Sequence, residues 1–99
     1  MNVSIIGCGR WGGFLAWYLD RLGHRVALCG RPDSPRLAAF METRSNGSVT
    51  LPPSVALYTD LGQAVDRADI LVISIGSQGL RSLMGEIAAL SPANKDVVL

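Results

Sequence analysis

Val3-Ser4-Ile5-Ile6-Gly7-Cys8-Gly9-Arg10-Trp11-Gly12 is the stretch on which the reading of this chain turns. Asn2–Ile6, with Val3, Ile5 and Ile6, reads as a short buried strand that stops at a glycine. The glycines that follow have G-x-G-x-x-G spacing and lead into a helical pattern over Arg10–Leu22. That spacing is informative when it leaves a strand and opens a helix. Gly7 then allows the tight turn, Gly9 lets the backbone approach a pyrophosphate, and Gly12 lets the helix pack close to the sheet. The helix N-terminus offers unpaired N–H groups and partial positive charge to phosphates. The pattern predicts a dinucleotide site; a glycine-rich turn that binds nothing is the plain alternative.

The first helix places Gly12, Ala16, Leu19 and Leu22 on one face and stops at Gly23. Phe14, Trp17 and Tyr18 lie off that face, so the helix is apolar nearly all round. Such a helix is normally buried on several sides, which predicts a docking face for a further domain or, more simply, contact with a neighbouring helix. Val26–Cys29 reads as a second strand. Ser34-Pro35 reads as an N-cap with proline at the first helical position. It opens a helix with Leu37, Phe40 and Met41 inward, ending near Arg44. Ser45–Pro53 is loop, with an Asn46-Gly47 turn and Pro52-Pro53 barring regular structure. Val55–Tyr58 is a weaker third strand. Asp60 with Gln63 resembles a capping box for a helix to about Ala68. The unbroken run Ile70–Ile75 predicts a strand buried on both faces, as in a parallel sheet. Ser77–Leu90 is a helix with Leu80, Leu83, Met84, Ile87 and Leu90 on one face, stopped by Ser91-Pro92, and Val97–Leu99 begins a fifth strand. The βαβαβαβαβ alternation predicts an α/β fold of the Rossmann type. Its doubly wound parallel sheet is incomplete, with about five strands in the order 3-2-1-4-5.

Composition narrows the function. The 99 residues suffice for one domain, and 48% hydrophobic against 17% charged residues exclude a disordered chain. A net charge of +1 lacks the basic bias expected of a nucleic-acid partner. No apolar run reaches membrane-spanning length. Met1 leads straight into a strand, so no signal peptide is expected and the predicted location is cytoplasmic. Two cysteines make no disulfide scaffold and no metal spacing. Cys8 and Cys29 sit at the ends of neighbouring strands, where a cytosolic context disfavours a disulfide. No metal cluster is expected. His24 follows a helix-ending glycine and reads as a turn residue near the negative end of the dipole, not as a catalytic base.

The tip of the second strand reads the cofactor's ribose in this fold, and an NAD site usually carries Asp or Glu there. Here the tip is Cys29-Gly30-Arg31-Pro32, with no carboxylate until Asp33. Arg31 is placed for a 2′-phosphate, with room left beside it by Gly30. NADP is therefore expected in preference to NAD; a solvated Arg31 is the plain alternative, and Asp33 would permit NAD if the loop folds back.

These residues together resemble the N-terminal part of bacterial NAD(P)-dependent glycerol-3-phosphate dehydrogenases. The resemblance begins at Val3–Gly12, where Trp11 before the third glycine is typical of that family. It continues through Leu22-Gly23-His24-Arg25-Val26, Gly30-Arg31, Leu51-Pro52 and Thr59-Asp60-Leu61 to Ile73-Ser74-Ile75-Gly76-Ser77-Gln78-Gly79-Leu80-Arg81. Three departures stand out. Gly76 replaces a proline, Arg10 replaces the serine of G-S-W-G, and the segment Arg44–Pro52 is shortened.

The resemblance implies cofactor binding by Gly7, Gly9, Arg10, Trp11, Gly12 and Arg31. Trp11 would pack along the cofactor, or simply pack at the helix start. Arg10 would touch a phosphate or be solvated. The implied reaction is hydride transfer between NAD(P)H and C2 of dihydroxyacetone phosphate, giving sn-glycerol 3-phosphate for phospholipid synthesis. The family's catalytic lysine and helical substrate domain would fall beyond Leu99, and Lys95 is not that lysine. Residues 1–99 alone are thus expected to be a dinucleotide-binding domain without catalytic residues of its own, inactive alone and part of a homo-oligomeric enzyme. Another dehydrogenase of similar front half, ketopantoate-reductase-like or 6-phosphogluconate-like, remains open, as does a non-catalytic nucleotide-binding or redox-sensing module.

Overall fold

The computed structural model describes residues 1–75, 77–90 and 96–98. Gly76, the Ser91-Pro92 helix stop, Lys95 and Leu99 lie outside the described residues, as do the side chains of Ser77 and Gln78. The elements run β1 (Asn2–Ile6), α1 (Arg10–Arg21), β2 (Arg25–Cys29), α2 (Pro35–Thr43), β3 (Ala56–Tyr58), α3 (Leu61–Arg67), β4 (Ile70–Ile73), α4 (Ser77–Ala89) and β5 (Asp96–Val98). All strands pair in parallel, in the order β3-β2-β1-β4-β5. This is the predicted topology. Its switch point lies between β1 and β4, the place where open α/β sheets bind ligands.

The pleat sorts the core into two layers. Val3, Ile5, Val26 and Leu28 face α1 and α2 with Ala16, Leu37 and Phe40. Ile6, Cys29, Leu71 and Ile73 face α3 and α4 with Ala64, Val65, Leu83 and Ile87. Among the described residues Ser4 is the one buried polar residue, and its hydroxyl donates to Ala64 O at 2.6 Å. Arg67 closes the bottom of the sheet by donating to Val3 O at 2.7 Å and to Ser4 Oγ at 3.1 Å.

The caps follow local chemistry. Ser34 Oγ accepts from Leu37 N–H (3.2 Å), with Pro35 at the first helical position of α2. Asp60 Oδ1 accepts from Gly62 N–H (2.8 Å) and Gln63 N–H (3.4 Å) to open α3. In the Asn46-Gly47 turn, Asn46 Oδ1 accepts from the N–H groups of Ser48 and Val49.

Several expectations are corrected. β4 ends at Ile73 rather than Ile75, and Ile70 and Val72 are only half-buried. Helix α1 lies mainly over β1 and β2 and leaves that face of β4 partly open. Leu22, Met41 and Leu90 are exposed, not inward. Leu22 is the C-cap of α1, beyond its last full turn, and Leu90 follows α4's last residue.

Candidate nucleotide-binding site

The strand–turn–helix at β1–α1 is fixed by two close backbone approaches. Gly7 sits at φ 116°, where other residues are strained, and its N–H donates to Cys29 O at 2.8 Å. A side-chain carbon at Gly7 would overlap the carbonyl oxygen of Ser74, and one at Gly12 would overlap that of Gly7. Both glycines are therefore required by packing within the chain.

Gly9 is different. Its φ of −73° and ψ of −171° are ordinary extended backbone. Among the described residues, a side-chain carbon there would meet, besides Gly9's immediate chain neighbours, only the far end of one flexible side chain, Arg36 Nη1 at 2.9 Å. Neither conformation nor internal packing accounts for this glycine. It leaves bare backbone facing a cleft.

That cleft has a volume of about 1100 Å³. It runs between the C-terminal ends of β1, β2 and β4, with Gly7, Cys8 and Gly9 on its floor. Arg31, Asp33 and Arg36 line one wall, Leu83 and Glu86 of α4 another. At its edge α1 begins without a side-chain cap, and the first intrahelical bond is Gly13 N–H to Gly9 O at 2.9 Å. The N–H groups of Arg10, Trp11 and Gly12 precede it and have no intrahelical acceptor. An anion over Gly9 would meet these donors and the positive end of the helix.

The predicted site residues divide. Gly7, Gly9 and Arg31 line the cleft, and Gly12 packs beneath Gly7. Arg10 and Trp11 are exposed and are not among the cleft's lining residues; what they have toward its edge is the N–H groups at the start of α1. Arg31 Nη2 lies 3.5 Å from Glu86 Oε2 across the cleft mouth, both side chains being largely exposed. Such pairs are worth about 0–1 kcal/mol, little enough for a phosphate to displace Glu86. The space expected beside Gly30 is instead filled by Cys8 Sγ and Leu37, both within 3.1 Å of where its side chain would begin. Cys8 Sγ also lies 3.3 Å from Ser34 Oγ, tying the glycine loop to the start of α2. Both cysteines are free thiols. Burial, with Asp60 and then Cys8 adding to it, pushes the Cys29 thiol up to about 11, so it carries no charge at the cleft near neutral pH.

Glu86 and Arg36 are among the charged lining residues that the sequence reading did not place at the site. Glu86 lies one α4 turn beyond Leu83, on the same face. Arg36 is the second residue of α2, and only the fold of the 30–35 loop turns it back over Gly9.

Outside the cleft, Trp11, Phe14 and Tyr18 form an exposed stack along α1, with ring centroids 5.5 and 6.0 Å apart. They are 65%, 37% and 45% exposed. Trp17, expected in this patch, is half-buried against the core, with the Arg21 guanidinium 5.5 Å above its ring. Trp11 and Tyr18 flank Phe14 on one stripe, while Trp17, three residues from Phe14 with ring centroids 6.1 Å apart, sits at the edge of that stripe where α1 meets the core. Exposed apolar patches mark interaction surfaces. Sedimentation velocity should therefore show concentration-dependent self-association that Tyr18→Ser reduces; a monomer at every concentration would contradict this.

A doubly wound parallel sheet with a glycine turn at its switch point defines the Rossmann-type class of α/β domains. A sequence model described as "NAD-dependent glycerol-3-phosphate dehydrogenase N-terminus" matches residues 2–99, and the chain belongs to that family. It is 33% identical over 101 residues to a glycerol-3-phosphate dehydrogenase [NAD(P)+] of Thermoanaerobacter sp. (strain X514), covering 99% of this chain and 30% of the relative. The enzyme of the same name from Chlorobium limicola is 36% identical over 102 residues, with the same coverages. The crystal structure of glycerol-3-phosphate dehydrogenase from Coxiella burnetii superposes with a TM-score of 0.87 at 22% identity, over 97% of this chain and 30% of that one. This last likeness bears on the fold. The chain spans 30% of the length of these relatives.

Proposed function

We propose that residues 1–99 form the NAD(P)H-binding part of a glycerol-3-phosphate dehydrogenase. The observation that carries the cofactor reading is Gly9, a bare backbone position that neither its own conformation nor backbone packing among the described residues requires. It lies beside the free N–H groups of α1, where a diphosphate would be held. Gly7 and Gly12 shape the turn, and Arg10 and Trp11 contribute backbone donors. Arg31 stands at the tip of β2 to read the adenosine ribose.

The bound cofactor would supply the hydride that passes to or from C2 of dihydroxyacetone phosphate, giving sn-glycerol 3-phosphate for phospholipid synthesis. The chain's own residues bind and orient the nucleotide. The family's catalytic lysine and substrate domain have no counterpart in residues 1–99, so this chain alone should turn nothing over. The relatives' names support the dehydrogenase reading over the ketopantoate-reductase-like, 6-phosphogluconate-like and non-catalytic alternatives. A cytoplasmic homo-oligomer is the proposed setting of the whole protein. No helix among the described residues is long and apolar enough to cross a membrane.

NADPH is the proposed preference. A guanidinium pairs bidentately with a phosphate, and loss of one such contact costs about 1.5–3 kcal/mol, roughly ten- to a hundredfold in affinity. Arg31→Ala should weaken NADPH by that factor and leave NADH nearly unchanged in a fluorescence titration. Equal losses for both would show that Arg31 does not read the 2′-phosphate.

A further inference from the structure

The two arginines that line the cleft are held differently. Arg31 is paired with Glu86 at 3.5 Å. Arg36 makes no hydrogen bond or ion pair among the described residues, although it lines the same cleft. Its Nη1 lies 2.9 Å from where a Gly9 side chain would begin, directly over the bare backbone of the turn. The remaining carboxylates of the cleft are occupied or distant from it. Asp60 caps α3 through Oδ1, Glu86 faces Arg31, and Asp33 forms no salt bridge with Arg36. An unpaired guanidinium above uncapped helix N–H groups is a second source of positive charge at one point.

We infer that Arg36 is a binding residue for the cofactor's diphosphate, closing over it from α2 while α1 holds it from below. This rests on the nucleotide reading above and divides the phosphates between two arginines: Arg36 takes the diphosphate that NADH and NADPH share, and Arg31 takes the 2′-phosphate that only NADPH has. The geometry favours the diphosphate for Arg36 because Gly9 is the residue whose missing side chain lets the diphosphate approach in this fold. The planar fork of five donors suits two bridged phosphates without needing a fixed partner beforehand.

The test is a titration of the chain and of Arg36→Gln with NADH, NADPH and adenosine, with thermal melting to confirm the fold. Arg36→Gln should weaken NADH and NADPH alike, by roughly ten- to a hundredfold, and leave adenosine unchanged. The loss should shrink at high salt, and Arg36→Lys should restore part of it. A loss confined to NADPH would overturn the assignment by placing Arg36 on the 2′-phosphate. Saturable binding untouched by Arg36→Gln would overturn it by showing the guanidinium idle. Failure of the unmodified chain to bind either dinucleotide would overturn the nucleotide reading itself, and this assignment with it.

Discussion

Gly9→Val should leave the chain folded and remove dinucleotide binding. The backbone at Gly9 suits valine, and among the described residues its Cβ would meet only the tip of Arg36. Melting should therefore be close to that of the unmodified chain. The isopropyl group would, however, occupy the space in which a diphosphate approaches the N–H groups of α1. Loss of two charge-assisted hydrogen bonds at about 1.5–3 kcal/mol each is a loss of at least about a hundredfold in affinity. A Gly9→Val chain that titrates like the unmodified one would remove the phosphate site from this turn.

Gly12→Ala should do the reverse and damage the fold before any ligand is considered. The added methyl would overlap the carbonyl oxygen of Gly7, a backbone atom held by the Gly7 N–H to Cys29 O bond. Relief requires α1 to lift from β1, opening the layer that Ala16 packs into. Overpacking of this kind costs on the order of 3 kcal/mol, which lowers Tm by roughly 12–24 °C in a domain of this size. Thermal melting followed by circular dichroism checks it, and an unchanged Tm would mean that the helix does not approach the sheet this closely. The two substitutions lie three residues apart and should separate the roles proposed for the motif, one glycine for the fold and the other for the ligand.

Much of the architecture was legible because it is written in local chemistry. The five apolar strands, the Ser34-Pro35 and Asp60 caps and the Gly23 stop each rest on neighbours in sequence, and the right-handed crossover rule then leaves few sheet orders. The turn was legible for the same reason. What escaped depends on tertiary placement. Ile70 and Val72 read as fully buried because an apolar run does not record how far α1 extends across the sheet. Gly30 read as ligand space because the sequence does not show that the Cys8 thiol fills it. Arg36 and Glu86 come from helices whose faces toward the cleft are set only when α2 and α4 dock. Arg31's place on the cleft follows from its position at the strand tip, but its pairing with Glu86 spans 55 positions, from 31 to 86, and leaves no local trace.

The most direct measurement is equilibrium titration of NADPH into the unmodified chain, with Gly9→Val as the blank. Saturable binding at one site per chain, stronger than for NADH and missing from Gly9→Val, is the expected result. No saturable binding of either dinucleotide to a chain that melts cooperatively would contradict the assignment of this cleft.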